Sequence, residues 1–461
     1  MSAAAILLAA GLGTRMKSRL PKALHPLAGR PMLNHLIAAC EGVFDRIVVV
    51  VGPDMPALER AAAPHATVVQ SERLGTGHAA LQAAPLLADF PGDVAVLYAD
   101  NPLISATTLR RLRMARAEAG LALLAMRPAD PAKYGRVLQD TAGDVTRIVE
   151  YADASEAERQ VGLCNAGVLC APAADLFRWL RAVRNDNRAG EYYLTDLVPL
   201  AVNDGRRVVA VEAPEAELRG INSRAELAAA EAEVQARLRR AVMDNGATLI
   251  QPDSVVFAHD TRLGQDVTVG PNVVFGPGVT VEDDVEIRAF SHLEGCVVRS
   301  GAIIGPFARL RPGTEVGARA HVGNFVELKA TRLGEGAKAN HLTYLGDSSV
   351  GAGSNIGAGT ITCNYDGFGK FRTEIGSGVF VGSNTTLVAP IRLGDGAFTA
   401  AGSTLTRDVA PDAMAFGRAR PTEKPGMAAA FRAARRPTPL PEAPSPDAPP
   451  APPTAPPKEK A

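Results

Sequence analysis

A six-residue period in the second half of the chain restricts the possible fold more than any other feature. Apolar residues recur at every sixth position from Leu263, and after one five-residue step the period resumes and continues to Leu405. This period matches neither an α-helix nor an alternating strand, and it is typical of a parallel β-helix in which three hexads form one coil. We therefore predict a β-helix with inward-pointing apolar residues, which are Leu263, Val269, Phe275, Val281, Ile287, Leu293, Val298, Ile304, Leu310, Val316, Val322, Leu328, Val350, Ile356, Ile375, Val381, Leu387, Leu393 and Leu405.

Two polar stretches, residues 328–347 and 362–370, interrupt this period. Insertions in a solenoid are expelled as loops, and loops on a rigid stack often carry function, so we expect both stretches to form loops. The first contains His341, whose ordinary pKa suits a general base at neutral pH. A single histidine is more often a surface or packing residue, so the imidazole alone does not establish an active site.

The first half of the chain alternates apolar strand-like segments with amphipathic helical ones. The strands are expected at residues 4–9, 46–51, 66–70 and 93–98, and a helix is expected at 31–40. Buried apolar strands separated by helices predict an α/β domain with a mostly parallel, Rossmann-like sheet. Such sheets bind ligands beyond the carboxyl ends of their strands, where Gly11, Gln70 and Asp100 would lie.

A long helix is predicted between the two halves. Ser223 and Glu226 form a capping box, and Asn245-Gly246 ends the helix. Its expected apolar stripe is Leu227, Ala230, Val234, Leu238 and Ala241. The predicted organisation is therefore an α/β domain at 1–222, a linker helix at 223–245, a β-helix at 246–427 and a tail at 428–461. The tail begins as a short basic helix and, from Pro437 onward, has eleven prolines in twenty-five residues, which predicts disorder.

Composition argues against several classes of protein. The 461 residues carry 49 basic and 49 acidic side chains, so no overall basic field favours nucleic acid as a partner. No apolar stretch is long enough to cross a bilayer, and we expect no membrane association. The five cysteines form no CxxC pair, which argues against a zinc knuckle or a disulfide framework and fits a reducing cytoplasm.

A glycine-rich turn follows the first predicted strand. It reads Leu8-Ala9-Ala10-Gly11-Leu12-Gly13-Thr14-Arg15-Met16, with Lys22 six residues further on. Backbone N–H groups in such a turn can face phosphate oxygens, and Arg15 and Lys22 add the positive charge that a triphosphate needs. Met16 replaces the third glycine of a dinucleotide fingerprint and no Walker lysine is present, which argues against NAD and against a P-loop.

These residues resemble the sugar-nucleotide pyrophosphorylases. Further matches are Gly75-Thr76-Gly77, Tyr98-Ala99-Asp100, Tyr134-Gly135-Arg136, Ile148-Val149-Glu150, Asn165-Ala166-Gly167 and Gly220-Ile221-Asn222. Ala99 stands where that family usually has Gly, and Ala166 where Thr is commoner. With the β-helix, which carries Asn340-His341-Leu342-Thr343-Tyr344-Leu345-Gly346-Asp347 and Thr362-Cys363-Asn364-Tyr365-Asp366-Gly367, the pattern resembles the bacterial family of bifunctional N-acetylglucosamine-1-phosphate uridylyltransferase/glucosamine-1-phosphate N-acetyltransferases over about residues 4–427.

The resemblance implies a first site that joins UTP to N-acetylglucosamine 1-phosphate. The catalytic residues would be Arg15 and Lys22, and the metal, Mg²⁺, would be held by Asp100 and Asn222. The residues implied to bind UTP and the sugar nucleotide are Leu8, Ala9, Ala10, Gly11, Lys22, Gln70, Gly75, Thr76, Tyr98, Ala99, Asp100, Gly135, Glu150, Asn165 and Asn222.

The resemblance implies a second site on a left-handed, trimeric β-helix. There His341 would be the general base for acetyl transfer from acetyl-CoA to glucosamine 1-phosphate. The implied acceptor-binding residues are Arg311, Lys329, Tyr344 and Asn355, and the implied acetyl-CoA residues are Ala358, Asn364, Tyr365, Ser383, Ala401 and Arg418. Cys363 is expected to be a packing residue.

Two other functions are compatible with the same fold. The chain could be a pyrophosphorylase for another sugar, with the β-helix serving only oligomerisation, but that function does not require His341. It could also be a silent scaffold, which would be expected to lose Arg15, Lys22, Asp100 or His341, and all four are present.

Overall fold

The structure, a computed structural model, describes residues 2–131 and 134–435 of the chain. It divides into two compact units, Met1–Phe416 and Gly417–Ala461. The first unit contains the sheet domain, the connecting helix and the β-helix. The second contains one helix, Met427–Ala434, which confirms the short helix predicted before the tail. The proline-rich segment from Pro437 lies outside the described residues.

The N-terminal sheet is mostly parallel, as predicted. Its central strands are apolar on both faces, because helices cover both sides. The strands are β1 (Ala3–Leu8), β2 (Pro26–Leu27), β3 (Arg30–Pro31), β4 (Arg46–Val51), β5 (Ala66–Val69), β6 (Asp93–Tyr98), β7 (Leu121–Met126), β8 (Arg136–Gln139), β9 (Val145–Val149), β10 (Cys164–Pro172) and β11 (Val208–Glu212). The helices are α1 (Met32–Glu41), α2 (Pro56–Ala62), α3 (Thr76–Leu81), α4 (Ala84–Leu87), α5 (Ala106–Ala117), α6 (Glu156–Arg159), α7 (Ala173–Ala182), α8 (Leu197–Asn203) and α9 (Glu215–Leu218).

The strand order is β11-β7-β10-β6-β1-β4-β5, and β8 and β9 branch from β10. Strand β1 is parallel to both β4 and β6, whereas β10 is antiparallel to its neighbours. The carboxyl ends of β1 and β6 therefore meet at one edge of the sheet. Strand β5 was expected to be buried, but it is the edge strand and its side chains are half-buried or exposed.

The connecting helix α10 spans Arg224–Asp244, which confirms that the predicted helix forms. Both reciprocal hydrogen bonds of the Ser223–Glu226 capping box are present. Ala230 and Val234 are buried, but Ala241 is exposed, so the predicted stripe is wrong at its last position. Val242 packs against the β-helix core instead. The division at residues 222 and 245 remains a prediction, since both halves and α10 belong to one compact unit.

The second half is the predicted left-handed parallel β-helix, with three flat faces. The first face consists of Thr248–Leu249, Thr268–Val269, Glu286–Ile287, Ile303–Ile304, His321–Asn324, Lys338–His341, Asn355–Ile356, Phe380–Val381, Phe398–Thr399 and Met414–Ala415. The second consists of Arg262–Leu263, Thr280–Val281, Cys296–Val298, Thr314–Val316, Arg332–Leu333, Ser348–Val350, Thr373–Ile375 and Ile391–Leu393. The third consists of Val274–Phe275, His292–Leu293, Arg309–Leu310, Glu327–Lys329, Tyr344–Gly346, Ile361–Cys363, Thr386–Val388 and Thr404–Leu405.

All nineteen apolar residues of the predicted period are buried in one continuous core. Each lies over its equivalent in the next coil, as in the pairs Leu293–Leu310 and Ile304–Val322. The stack extends into aromatic residues at the start of the β-helix, where the Phe257 and Phe275 ring centroids are 4.9 Å apart. The hexad pattern therefore encodes the interior of the β-helix directly.

The first predicted loop, residues 328–347, is wrong. This stretch stays in the coil as the strands Arg332–Leu333, Lys338–His341 and Tyr344–Gly346, and Leu333, Ala339 and Leu345 fill the core. The second predicted loop is confirmed in position. After the strand Ile361–Cys363 the chain leaves the coil, the side chain of Phe368 is 98% exposed, and the chain returns at Thr373–Ile375.

Across the described part of the chain, the helices all lack the combination of length and apolarity required to cross a bilayer.

Candidate functional site

The first candidate site is a cavity of about 230 Å³ at the carboxyl ends of β1 and β6. This is where a mostly parallel sheet is expected to bind a ligand. Its walls include most of the residues predicted to bind the nucleotide. The lining residues are Leu8, Ala9, Ala10, Gly11, Lys22, Ala23, Gln70, Arg73, Gly75, Thr76, Ala79, Tyr98, Ala99, Asp100 and Glu191.

The glycine-rich turn brings Lys22 into this cavity. Gly13 has a φ of 60°, and a Cβ at this position would lie 2.6 Å from Lys22 Cβ. A side chain at residue 13 would therefore displace the lysine, which explains why glycine is needed there. Ala99, at a position where a glycine was expected, has no positive φ and is buried, so alanine fits its backbone without strain.

Asp100 and Asn222 point oxygens at one position near the mouth of the cavity. Lys22 Nζ forms an ion pair with Asp100 and donates a hydrogen bond of 3.0 Å to Asn222 Oδ1. Asn222 is held there because Ile221 N donates to the Asp100 carbonyl over 2.9 Å. The residues are far apart in the chain, and the sheet and the start of α10 bring them together.

A second pocket continues from the first past Tyr98. Tyr98 lines both, and its ring packs on Gly167, where a Cβ would come within 2.2 Å of the ring. Burial raises the pKa of the Tyr98 hydroxyl, which bonds to Thr76. The tyrosine therefore stays neutral and can act as a fixed wall between the two pockets.

The residues predicted to hold the sugar meet beside this second pocket. Asn165 N donates to the Gly135 carbonyl over 2.9 Å, and a Cβ on Gly135 would lie 3.4 Å from Glu150 Oε2. Thr195 Oγ1 donates to Glu150 Oε1 over 3.4 Å. Burial raises the pKa of Glu150 above its ordinary value, so this carboxylate is a strong acceptor with few partners of its own.

Arg15, a predicted catalytic residue, is not brought into the cavity. It lies in the short turn Thr14–Met16, is exposed, and does not line the pocket. The structure instead adds Arg73, which sequence reasoning missed. Arg73 Nε donates to the Ala10 carbonyl over 2.9 Å and so braces the glycine-rich turn. Arg73 could have been found from the sequence, because it lies between Gln70 and Gly75, which were both predicted to bind the nucleotide.

The second candidate site lies along one edge of the β-helix. Its residues occupy the same corner of successive coils, two positions after the inward residue of the first face, and we call them the corner column. Each is linked to the next coil by a backbone hydrogen bond at this corner. In coil order the column consists of Asn324, His341, Ala358, Ser383 and Ala401, of which the last four were predicted.

His341 is the only member of the corner column with a titratable side chain. Its imidazole is exposed, and its Nδ1 lies 2.6 Å from Asn324 Oδ1. The three small residues that follow it leave the surface beside the imidazole open on one side. A groove lined by His321, Asn324, Asn340 and His341 lies on the other side.

A cluster of charged residues covers the third face next to this corner. Arg311 Nη1 bonds to Glu327 Oε1 over 2.9 Å, and Lys329 Nζ to Asp347 Oδ2 over 3.3 Å. Asn364 Nδ2 donates to the same Asp347 oxygen over 2.5 Å. The Tyr344 hydroxyl adjoins this group, since a Cβ on Gly346 would lie within 2.8 Å of both Tyr344 and Asn364.

Lys370, which sequence reasoning missed, adds another cation from the second loop. Its hydrogen bond to Lys329 lowers the pKa of Lys370, whereas the pKa of Lys329 is raised by the same bond and by Asp347. Two ammonium groups in contact repel each other unless an anion joins them. The charges of the cluster therefore suit a phosphate group.

Asn355, Tyr365 and Arg418 are the remaining predicted residues of the second site. Asn355 is on the first face, beside Lys338 of the preceding coil. Tyr365 is exposed, and its hydroxyl bonds to the Gly367 carbonyl within the second loop. Arg418 is exposed and belongs to the second compact unit. Cys363 is half-buried and has a free thiol.

Comparison with known proteins identifies both halves of the chain. Residues 5–196 match the MobA-like NTP transferase domain, residues 260–295 the bacterial transferase hexapeptide (six repeats), and residues 372–407 the hexapeptide repeat of succinyl-transferase. These matches agree with the sheet domain and the β-helix described above.

Whole-length relatives connect the two halves. The bifunctional protein GlmU of Gluconacetobacter diazotrophicus is 66% identical over 440 residues, which cover 94% of this chain and 95% of the relative. The bifunctional protein GlmU of Acidiphilium cryptum is 60% identical over 93% of this chain and 98% of its own length, and that of Granulibacter bethesdensis 62% over 94% and 96%. The chain therefore belongs to the GlmU family of bifunctional transferases, with a nucleotidyltransferase domain followed by a hexapeptide-repeat acyltransferase domain.

Proposed function

We propose that this chain makes UDP-N-acetylglucosamine by two transfers at two separate sites. The β-helix site moves an acetyl group from acetyl-CoA to glucosamine 1-phosphate. The sheet-domain site then joins the resulting N-acetylglucosamine 1-phosphate to UTP and releases pyrophosphate. The observation that carries this proposal is that each domain has a site with polar side chains suited to its reaction. One site surrounds Lys22 and Asp100, and the other surrounds His341.

At the first site, the sugar phosphate attacks the α-phosphorus of UTP. Phosphoryl transfer of this kind depends mainly on positioning and on neutralising charge. The cavity beneath the glycine-rich turn holds the nucleotide, with Gln70 at its buried end, and Lys22 faces the phosphates. Glu150 and Asn165, beyond Tyr98, hold the acetylated sugar. The exposed Arg15 lies on the same turn but does not line the cavity.

Asp100 and Asn222 fit a magnesium ion. Their oxygens point to one position, which Lys22 Nζ now contacts. Among the described residues there is no cluster of three or more His, Cys, Asp or Glu side chains that would form an all-protein metal site. A pair of hard oxygens suits Mg²⁺, which usually takes its other ligands from phosphates and water. The bound ion would neutralise phosphate charge during transfer.

At the second site, the amine nitrogen of glucosamine 1-phosphate attacks the thioester carbonyl carbon of acetyl-CoA. His341 accepts a proton from that nitrogen, the carbon–sulfur bond breaks, and the protonated His341 returns the proton to the departing sulfur so that CoA leaves as the thiol. Arg311, Lys329 and Lys370 hold the phosphate of the acceptor. Ala358, Ser383 and Ala401 give the pantetheine arm a path with little steric hindrance along the corner column.

We propose that the protein acts as a homotrimer, with the number three supplied by the family resemblance. Support for a shared second site comes from Asn355, which lies on the first face while the other acceptor residues lie on the third. An exposed aromatic ladder supports contact with a second copy. Phe290, Phe307 and Phe325 stack at centroid distances of 4.9 and 5.2 Å beside the corner column, although they are about half exposed.

We place both reactions in the cytoplasm. The five cysteine thiols are free, and four of them are buried, which fits a reducing compartment.

One incubation tests the whole proposal. The protein is mixed with glucosamine 1-phosphate, acetyl-CoA, UTP and Mg²⁺, and free CoA thiol and pyrophosphate are followed separately. We expect both products, with pyrophosphate lagging behind thiol. Pyrophosphate that forms only from pre-acetylated sugar phosphate, with no release of thiol, would instead make the β-helix a scaffold.

A further inference from the structure

We propose that Asn324 is a positioning residue for acetyl transfer, which holds His341 in the tautomer and orientation that the reaction needs. The proposal deepens the proposed function and rests on the assignment of His341 as the general base. Its basis is the short contact between Asn324 Oδ1 and His341 Nδ1, at 2.6 Å. Sequence reasoning assigned no role to Asn324.

The β-helix places the two side chains together by its own geometry. Asn324 ends the strand His321–Asn324 and His341 ends the strand Lys338–His341, and the two residues are paired in the parallel register. Leu342 N donates to the Asn324 carbonyl over 3.0 Å, which fixes the backbone of both coils at this corner. The side chains therefore leave the same corner one coil apart and have little freedom to separate.

Hydrogen bonding then determines which imidazole nitrogen is basic. A side-chain amide oxygen can only accept, so Nδ1 must carry the proton that it donates to Asn324 Oδ1. The lone pair of the neutral ring is consequently on Nε2. Nε2 takes the proton from the attacking amine while the Nδ1–H bond to Asn324 persists, so that the imidazolium formed keeps a hydrogen-bond partner.

The rest of the corner column shows which side of His341 faces the reaction. Asn324 occupies the side toward the N-terminus of the β-helix, whereas Ala358, Ser383 and Ala401 follow on the other side. All three residues on that second side are small. Asn324 therefore holds the ring from the side toward the N-terminus of the β-helix and directs Nε2 toward the small residues of the corner column.

An amide differs from a carboxylate in this position, because it orients the ring without adding charge. The described charged and titratable groups near the imidazole are His321 on the preceding coil, Arg288 and its ion-pair partner Glu286 two coils before His321, and Lys338 on the strand of His341. The neighbouring strand on the other side contributes the neutral Asn355.

Two substitutions separate positioning from a merely structural role. Asn324→Leu removes the acceptor but keeps a similar volume, and Asn324→Asp keeps an acceptor and adds a negative charge. Both are measured in the full chain for thiol release as a function of pH, with pyrophosphate release from pre-acetylated sugar phosphate as an internal control of folding.

For Asn324→Leu we expect kcat of acetyl transfer to fall roughly tenfold to a hundredfold, with KM for acetyl-CoA within about twofold, because a wrongly oriented base weakens only the proton transfer. For Asn324→Asp we expect activity near that of the wild type at high pH, and an acidic limb that moves up by roughly one pH unit. Uridylyl transfer should stay within about twofold in both variants.

Other outcomes overturn the proposal. Wild-type acetyl transfer in Asn324→Leu, or an unmoved acidic limb in Asn324→Asp, would show that the contact does not position the base. Parallel loss of both activities would indicate a structural role. His341→Ala distinguishes failure of the proposed function from failure of the proposed role of Asn324. If it retains acetyl transfer, the proposed function itself fails, whereas an inactive His341→Ala beside a fully active Asn324→Leu would refute only the role of Asn324.

Discussion

Lys22 Nζ donates a hydrogen bond of 3.0 Å to Asn222 Oδ1, although 200 residues separate the two in the chain. The same ammonium group pairs with Asp100. In the family reaction these two oxygens would bind a metal ion and Lys22 would face the phosphates. The arrangement makes the first site depend on the sheet and on the start of α10 at the same time.

Asp100→Ala should therefore abolish uridylyl transfer and spare acetyl transfer. Removal of a hard oxygen ligand weakens Mg²⁺ and loses charge neutralisation, and we expect pyrophosphate release to fall more than a hundredfold. Thiol release should stay within about twofold, because its residues lie on the β-helix. Asp89→Ala, an exposed carboxylate before the start of β6, is the matched control. Equal loss of both activities would refute independent sites.

His341→Ala should have the opposite effect. General-base catalysis contributes roughly a hundredfold to ten-thousandfold, and we expect a fall of that size in thiol release with pyrophosphate release unchanged. His292→Ala replaces another exposed histidine of the same β-helix and should leave both rates unaltered. Retention of acetyl transfer in His341→Ala would make the β-helix a scaffold.

Glu150→Gln should stabilise the fold and weaken the binding of N-acetylglucosamine 1-phosphate. Burial raises the pKa of Glu150 in the folded state, so its ionised form destabilises the fold at pH values above that pKa. This cost vanishes below the unfolded pKa, where the carboxyl is protonated in both states. We expect a higher Tm than the wild type at about pH 8, a smaller difference near pH 4.5, and a KM for N-acetylglucosamine 1-phosphate that rises roughly tenfold.

Glu158→Gln is the control with the opposite sign. Hydrogen bonds from Ser155 lower the pKa of Glu158, so its stabilising contribution is present above the unfolded pKa and is lost as the pH falls through the folded one. Its Tm should be slightly lower than that of the wild type at about pH 8 and equal to it at low pH. A Tm of Glu150→Gln below that of the wild type at pH 8 would contradict the assigned burial cost.

Replacing the aromatic ladder should test the assembly. In Phe307→Ser/Phe325→Ser the exposed apolar stack is lost, and we expect light scattering to show monomers in place of the proposed trimer of the wild type. Acetyl transfer should fall at least tenfold because the second site would be incomplete, while uridylyl transfer continues. Met114→Ser, an exposed apolar residue of α5, should keep both the mass and the activities. A monomeric, fully active wild type would exclude a shared site.

The sequence predicted most of the first site, and the exceptions have a common cause. Gln70, Thr76, Asp100 and Glu150 lie in or next to the cavities because each follows a strand or begins a helix whose place in an α/β domain is regular. Arg15 and Arg73 do not follow this rule. Their side chains are long, and the packing of the turn, rather than their position in the chain, determines whether the guanidinium faces the cavity.

The first break in the hexad period shows what a local pattern misses. Five-residue steps at Leu328–Leu333 and Leu345–Val350 change the phase, which on the sequence alone suggested a loop. In the structure the coil accommodates them, since Thr331 Oγ1 bonds to the Leu345 carbonyl and lies 3.0 Å from Ser348 Oγ inside the corner. Small buried hydroxyls form the hydrogen bonds needed at the shortened corners, so no residue has to leave the coil.

The sequence by itself determined the architecture and the chemical inventory of this protein. Hexad spacing decides which side chains point inward, and a capping box begins a helix by bonds between residues three apart, so both depend on local geometry. Only the tertiary structure decided which polar groups meet. Lys22 and Asn222 meet because the packing of the sheet and α10 brings together residues whose separation of 200 in the chain carries no sign of it. Asn324 and His341 lie one coil apart, but only the structure shows that their side chains form a hydrogen bond.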